Sequence, residues 1–303
     1  MSEEQAKAQG AASGAAESGS LIDQLLETSK IRPGDDSYAI TKQGIESFIG
    51  TLLDPARSTD RITTALADEL IAELDKKLSR QVDQVLHDPA FQKLESAWRS
   101  LKFLVDRTDF RENVKIQLMN VSKDDLLSDF QDSPEITKSG LYKSVYSAEF
   151  GQFGGQPFGA IVSNYEFGPG TQDVALLQYV ASVAAMAHAP FIGGVSASFF
   201  GLDDYAKLPD LKDLSGIFES PTYTKWRGFR ESDDARNVAL VMPHFLLRTP
   251  YGVDTVPAKK FAYNEDVSGG NNSFMWGNAS FAFASRLTAS FAQYRWAAHI
   301  NWP

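Results

Sequence analysis

The chain has 303 residues, of which 43% are hydrophobic and 22% charged, and its net charge is −10. This acidic balance argues against binding to nucleic acids or anionic membranes, for which a basic face is expected. The chain has no cysteine, which excludes disulfides, thiol nucleophiles and zinc–thiolate sites. Since the sequence shows no secretory signal and no apolar run long enough to span a bilayer, we expect a cytoplasmic protein that does not enter a membrane.

The first 32 residues divide into a leader and a short helix. Residues 1–20 are rich in Ala, Gly, Ser and Glu without an aromatic residue, which predicts a disordered tether. Residues 21–32 are predicted to form an amphipathic helix that Pro33 and Gly34 terminate. Its apolar stripe consists of Leu21, Ile22, Leu25 and Leu26. A helix this short needs a surface to lie on, and its pattern fits either its own domain or a groove of a partner.

Residues 38–108 are predicted to be a helical module. One helix ends before Pro55, a long helix lies within residues 59–89, and a third begins at Pro89. The long helix repeats an apolar residue every three to four positions, at Ile62, Leu66, Leu70, Leu74, Leu78, Val82 and Val85. The third helix carries apolar residues on one side, at Phe91, Leu94, Trp98, Leu101 and Val105.

The pattern changes over residues 109–303, for which we predict an α/β domain. Alternation and β-branched content predict a strand at "NVKIQLMNV", residues 113–121. Further predicted elements follow in order: helices at 122–132 and 134–148, a strand at 158–165, a helix at 172–188 and a strand at 189–196. A strand, a helix and a strand in this order indicate an α/β unit. The fold class is therefore a mixed α/β fold with a mixed sheet behind a helical module.

The remaining third of the chain continues this theme. A helical stretch is predicted at about 210–232, a strand at 237–243, and another helical stretch at 276–300. Residues 249–275 lie between them and are rich in turn-forming residues. Loops of that length inside a domain are usually functional or mobile.

No motif in the chain indicates catalysis, and we predict no catalytic, cofactor-binding or metal-binding residues. None of the four histidines stands at a metal-binding spacing from another, and His188 is predicted to lie at a helix C-terminus. The loop 167–171 follows a strand and precedes a helix, but it matches no phosphate-binding motif. It is better explained as a tight turn with Thr171 as N-cap and Asp173 in the first helical turn. The alternative is a nucleotide- or flavin-binding α/β enzyme that uses this loop.

Four blocks of sequence resemble one known family. They are "DPAFQKLESAWRSLKFLVD", "YEFGPGTQDVALLQYVASVAAMAHAPFIGGVSASFFG", "YTKWRGFRESDDARNVALVMPHFLLRTPYG" and "FMWGNASFAFASRLTASFAQYRWAAHI". In this order they resemble the large sheath subunit of the bacterial type VI secretion system, the TssC/VipB family, over residues 20–300. The resemblance implies a phage-tail-sheath-like domain and a structural role without a cofactor.

The resemblance also implies a set of partners. The family's large subunit pairs with a small sheath subunit, TssB or VipA, and these heterodimers stack around an inner Hcp tube on a baseplate. Its N-terminal helix is recognised by ClpV, an AAA+ unfoldase that dismantles spent sheaths. By this resemblance residues 21–32 are the ClpV-binding helix, with Leu21, Ile22, Leu25 and Leu26 as its anchors. The family continues into a C-terminal, tube-facing domain that we expect this chain to lack.

Overall fold

A computed structural model describes residues 38–52, 64–258, 261–297 and 299–300. The chain divides into two compact units, Met1–Ile71 and Ala72–Pro303. The predicted leader and the predicted helix at 21–32 lie outside the described residues. The described α-helices are α1 (Tyr38–Leu52), α2 (Thr64–Leu86), α3 (Pro89–Asp106), α4 (Lys123–Asp132), α5 (Gly140–Tyr142), α6 (Thr171–Ala187), α7 (Leu214–Glu219), α8 (Thr224–Glu231) and α9 (Ala279–Tyr294).

Three strands, β1 (Ile161–Phe167), β2 (Phe191–Val195) and β3 (Val238–Val241), form a parallel sheet in the order β1-β2-β3. All five residues of β2 are buried, as expected for the central strand of a sheet covered by helices. The helices α6 and α9 both pack on this sheet. The main core surrounds α6, whose buried residues include Val174, Leu176, Leu177, Val180, Val183 and Ala184. The predicted strand–helix–strand unit and the mixed α/β class are therefore confirmed.

Two further strands, β4 (Phe245–Arg248) and β5 (Met275–Gly277), form an antiparallel ribbon. The helix α3 packs on this ribbon and on α9. The sequence did not predict these short strands as such. The predicted loop 249–275 connects them and ends at Met275, the first residue of β5, so that it begins and ends on the surface that carries α3.

Three predicted elements differ from the structure. Residues 113–121 form no strand, because no other strand pairs with them in the described part of the chain. The helix expected at 134–148 is instead a 3-10 turn at Ile136–Lys138, then α5, which continues as a π-helix over Lys143–Phe150. The stretch 210–232 is divided into α7 and α8 at Pro221, whose ring nitrogen has no hydrogen to donate to the preceding turn.

Candidate assembly surface

The packed side of α3 combines polar and apolar residues, because Ser100 and Leu104 are both buried and Phe103 packs against Phe245. Asp88 caps the helix by accepting hydrogen bonds of 3.0 Å from the backbone nitrogens of Ala90 and Phe91. On the packed side, Ser96 donates a 2.7 Å hydrogen bond to the backbone carbonyl of Trp276, and Ser100 is fully buried. A helix on a protein surface usually buries one apolar stripe. On α3 the packed positions are divided between serines and the apolar residues Phe103 and Leu104, so that most of the predicted stripe stays outside the contact.

Four of the five apolar residues that the sequence predicted on one side of α3 face solvent, and the fifth, Leu101, is half-buried. The exposed residues are Phe91, Leu94, Trp98 and Val105. Trp98 keeps 63% of its surface exposed, although a side chain of this size normally contributes most when it is buried. Exposed clusters of large apolar residues mark interaction sites in folded proteins. We take the apolar side of α3 as the first part of a candidate assembly surface.

The second part lies on α2. Over residues 72–86, no described helix or strand packs extensively against this helix. Its predicted apolar stripe is consequently exposed at Leu74, Leu78 and Val85. A shallow apolar groove follows the last turns of the helix, lined by Leu78, Gln81, Val82, Val85 and Leu86. An amphipathic helix with an uncovered apolar face is a typical partner for another helix.

The C-terminal end of α2 is held by the loop 249–275. The Asp83 carboxylate accepts a 2.7 Å hydrogen bond from the Tyr263 hydroxyl and one of 3.2 Å from the Asp266 backbone nitrogen. His87 Nε2 lies 3.4 Å from Glu265 Oε1. Burial and the bond to the Asp83 carboxylate both raise the pKa of Tyr263, so the tyrosine stays a neutral donor. The long loop therefore acts as an anchor for α2.

A buried ion network lies beneath α3 and consists of Glu95, Arg99, Arg248 and Glu265. The Arg248 guanidinium donates to both Glu265 carboxylate oxygens, at 2.5 and 3.0 Å, and to Glu95 at 3.1 Å. The Glu265 side chain is only 1% exposed and that of Arg248 is 8% exposed. Since Glu95 belongs to α3, Arg248 to β4 and Glu265 to the loop, one cation joins three parts of the chain.

The network fixes the charge of its central carboxylate. Burial by itself would raise the pKa of Glu265, but hydrogen bonds from Arg248 and from the Tyr251 backbone nitrogen lower it below its ordinary value. Burial would likewise lower the pKa of Arg248, yet its bonds to Glu265 and Glu95 raise it. Both groups are therefore charged at neutral pH, and each stabilises the other. Sequence reasoning missed this network because its members are up to 170 positions apart.

The loop 167–171 does not present a free anion site. Gly170, and not Thr171 as predicted, is the N-cap of α6. Asp173 lies in the first turn as predicted, and its carboxylate accepts a 2.6 Å hydrogen bond from the Gly168 backbone nitrogen. The same carboxylate pairs with Lys123 at 2.9 Å. A phosphate at this helix end would meet a carboxylate, which disfavours the nucleotide or flavin alternative.

The histidines occupy separate places. His188 is the C-cap of α6, with a left-handed φ of 52°, so its predicted place at a helix end is confirmed. His244 lies 2.7 Å from Glu166, a partner 78 positions away that no local pattern could indicate. No group of metal-binding side chains occurs among the residues that the structure describes.

The predicted partner-binding residues Leu21, Ile22, Leu25 and Leu26 lie outside the residues that the structure describes.

Comparisons with known proteins agree on one family. Residues 68–302 match the model of the VipB family, described as the EvpB/VC_A0108 tail sheath N-terminal domain. The type VI secretion system sheath protein TssC1 of Pseudomonas aeruginosa is 38% identical over 269 residues, which are 86% of this chain and 54% of that relative. The chain thus spans about half the length of this curated relative.

None of the helices within the described ranges is long and apolar enough to cross a membrane.

Proposed function

Because this chain belongs to the VipB family of tail sheath proteins, we propose that it is a structural subunit of a type VI secretion sheath. The observation that supports this role is the exposed stripe of α3, which leaves Phe91, Leu94, Trp98 and Val105 uncovered although the helix is packed on its other side. A stripe of large exposed apolar residues is typical of a surface that another protein covers, as a subunit of an assembly requires.

We assign the small sheath subunit to this surface. The apolar side of α3 and the groove on α2 together offer two helical faces, and a helical segment of the partner would bury them. Each fully buried large apolar side chain contributes about 1.5–3 kcal/mol, so these residues are the expected hot spots of the contact. The sheath heterodimers formed in this way would then stack around the Hcp tube on the baseplate.

Co-expression with a small sheath subunit tests this assignment. The double substitution Leu94→Asp with Trp98→Asp should abolish co-purification in size-exclusion chromatography and leave the melting temperature of the isolated chain unchanged, since both side chains are exposed. Lys93→Asp, one position away on an exposed part of the same helix, is the matched control and should still co-purify. Co-purification of the double variant at the wild-type level would refute the assignment of the small sheath subunit to this surface.

The ClpV-binding role of residues 21–32 remains part of the proposal. It rests on the resemblance and on the apolar stripe of Leu21, Ile22, Leu25 and Leu26. The double substitution Leu25→Asp with Leu26→Asp should abolish binding to ClpV while co-purification with the small subunit is retained. Unchanged affinity for ClpV in a fluorescence-anisotropy titration would show that another segment is recognised.

A further inference from the structure

His87 directly follows the last residue of α2, where this helix meets the loop 249–275. Its Nε2 atom is buried and lies 3.4 Å from Oε1 of Glu265, although 26% of the side chain remains exposed. Because this distance is longer than that of a good hydrogen bond, the strength of the contact depends mainly on the charge of the imidazole. The carbonyls at the end of a helix also favour a protonated histidine there.

The surroundings of His87 carry more negative than positive charge among the described residues. The Asp266 backbone nitrogen donates to the Asp83 carboxylate, which places both acids at this end of α2. Glu265 is paired with Arg248, which also contacts a second carboxylate, that of Glu95. The charged groups of the elements that meet here are Asp83 on α2, Asp88 at the start of α3, Glu95 and Arg99 on α3, Arg248 on β4, and Glu265 and Asp266 in the loop. This excess of carboxylates favours a cation at His87.

The groups that surround His87 keep their charge between about pH 6 and pH 8, where carboxylates are ordinarily ionised. Burial by itself would raise the pKa of Glu265, but its bonds with Arg248 and the Tyr251 backbone nitrogen lower it. The pKa of Asp266 is lowered chiefly by hydrogen bonds from Ser268. Burial and the bond to Asp83 raise the pKa of Tyr263, so this tyrosine stays neutral. Histidine is the side chain that ordinarily changes its charge in this range.

We propose that His87 is a pH-sensitive switch, whose protonated form fixes the end of α2 on the loop 249–275 and holds the α2 groove in the position that binds the small sheath subunit. The proposal rests on the sheath role argued above. The groove is lined by Val85 and Leu86, the two residues before His87. Since no described helix or strand packs extensively against residues 72–86, contacts with the loop determine how firmly these turns are held.

The direction of the pH effect follows from the partner of His87. Protonated His87 gains an ion pair with the Glu265 carboxylate, so the folded contact favours the form with the proton. The stabilisation is therefore complete on the acidic side of the histidine range and is lost as the pH rises through it. The α2 groove should be held more firmly near pH 6 than near pH 8.

Hydrogen exchange of the isolated chain tests the switch without the partner. The exchange rates are divided by those of an unstructured peptide at the same pH, so that the intrinsic pH dependence of exchange cancels. Amides of residues 82–87 should be at least about threefold more protected at pH 6 than at pH 8. In His87→Gln, which has a neutral side chain at every pH, protection should equal the wild-type value at pH 8 under both conditions.

His188→Asn is the matched control for this measurement. It removes an exposed histidine from the C-terminus of another helix, and asparagine tolerates the left-handed φ of 52° at that position. The control should show the same pH dependence of protection as the wild type. Wild-type protection that does not change with pH, or a pH dependence that persists in His87→Gln, would overturn the switch.

Binding of the small sheath subunit tests whether the switch controls the groove. The affinities of the wild type and of His87→Gln are measured at pH 6 and pH 8, and their ratio is compared, because titration within the partner affects both chains alike. The wild type should bind at least about threefold more tightly than the variant at pH 6, and both should bind equally at pH 8. An equal ratio at both pH values would show that His87 does not control the groove. Failure of every chain to bind would refute the assignment of the small subunit, whereas the exchange measurement still decides the switch itself.

Discussion

Replacing Arg248 with methionine tests how the buried ion network supports the candidate assembly surface. Methionine keeps much of the apolar stem but leaves Glu95 and Glu265 without the guanidinium that contacts them at 3.1 Å and 2.5 Å. Since the Glu265 side chain is almost completely buried, its charge would remain uncompensated. Removing one partner of a buried ion pair costs about 3–5 kcal/mol, and we expect Arg248→Met to fall in this range.

Thermal unfolding followed by circular dichroism at pH 7 measures this cost. For a unit of this size each kcal/mol shifts the melting temperature by about 2–4 °C, so Arg248→Met should lower it by roughly 6–20 °C. Arg236→Met is the matched control, because Arg236 pairs with Asp233 at the surface and its side chain is 71% exposed. The control should cost only about 0–1 kcal/mol.

The effect of Arg248→Met should also depend on pH. Because the folded state lowers the pKa of Glu265, its contribution is complete above the ordinary glutamate pKa of about 4.3 and is lost as the pH falls through the lower folded value. Without the guanidinium, burial makes the charged form of Glu265 unfavourable. Protonation of Glu265 removes this buried charge and therefore reduces the destabilisation of the variant. The difference in melting temperature between the wild type and Arg248→Met should therefore be largest near pH 7 and should decrease below about pH 5. The reasoning would be refuted if Arg248→Met melted at the same temperature as the Arg236→Met control at pH 7. It would also be refuted if the difference in melting temperature between wild type and Arg248→Met did not change with pH.

Three further substitutions test the packing of the α/β body by urea denaturation. Gly193→Ala would place a Cβ 2.7 Å from the Phe167 ring and should cost about 1–3 kcal/mol; a neutral result would mean that the ring moves away freely. Asp173→Ala removes the acceptor of the Gly168 backbone nitrogen and should cost about 1.5–3 kcal/mol; a gain in stability would instead reveal repulsion at this helix end. Tyr223→Phe removes a buried 2.7 Å hydrogen bond to a backbone carbonyl and should cost about 1 kcal/mol, and an unchanged midpoint would contradict that value.

The differences between prediction and structure have local causes. The segment 113–121 has the alternation of a strand, but a strand also needs a neighbour, and the sequence of one segment does not say whether one is present. The short strands β4 and β5 were missed because four and three residues are too few to show a period. The helical stretch predicted at about 210–232 consists of two short helices, because Pro221 lies between them.

The sequence by itself determined the mixed α/β class, the beginning of α3 at Pro89, the buried unit of β1, α6 and β2, and the resemblance to a sheath family. These features depend on local propensity and on the order of the elements, which the chain carries in its own pattern. Only the tertiary structure decided that most of the predicted apolar stripe of α3 is exposed to solvent, and that Arg248 joins Glu95 to Glu265. The period of a helix identifies which residues share a face but not what that face meets, because burial is set by contacts between residues far apart in the chain.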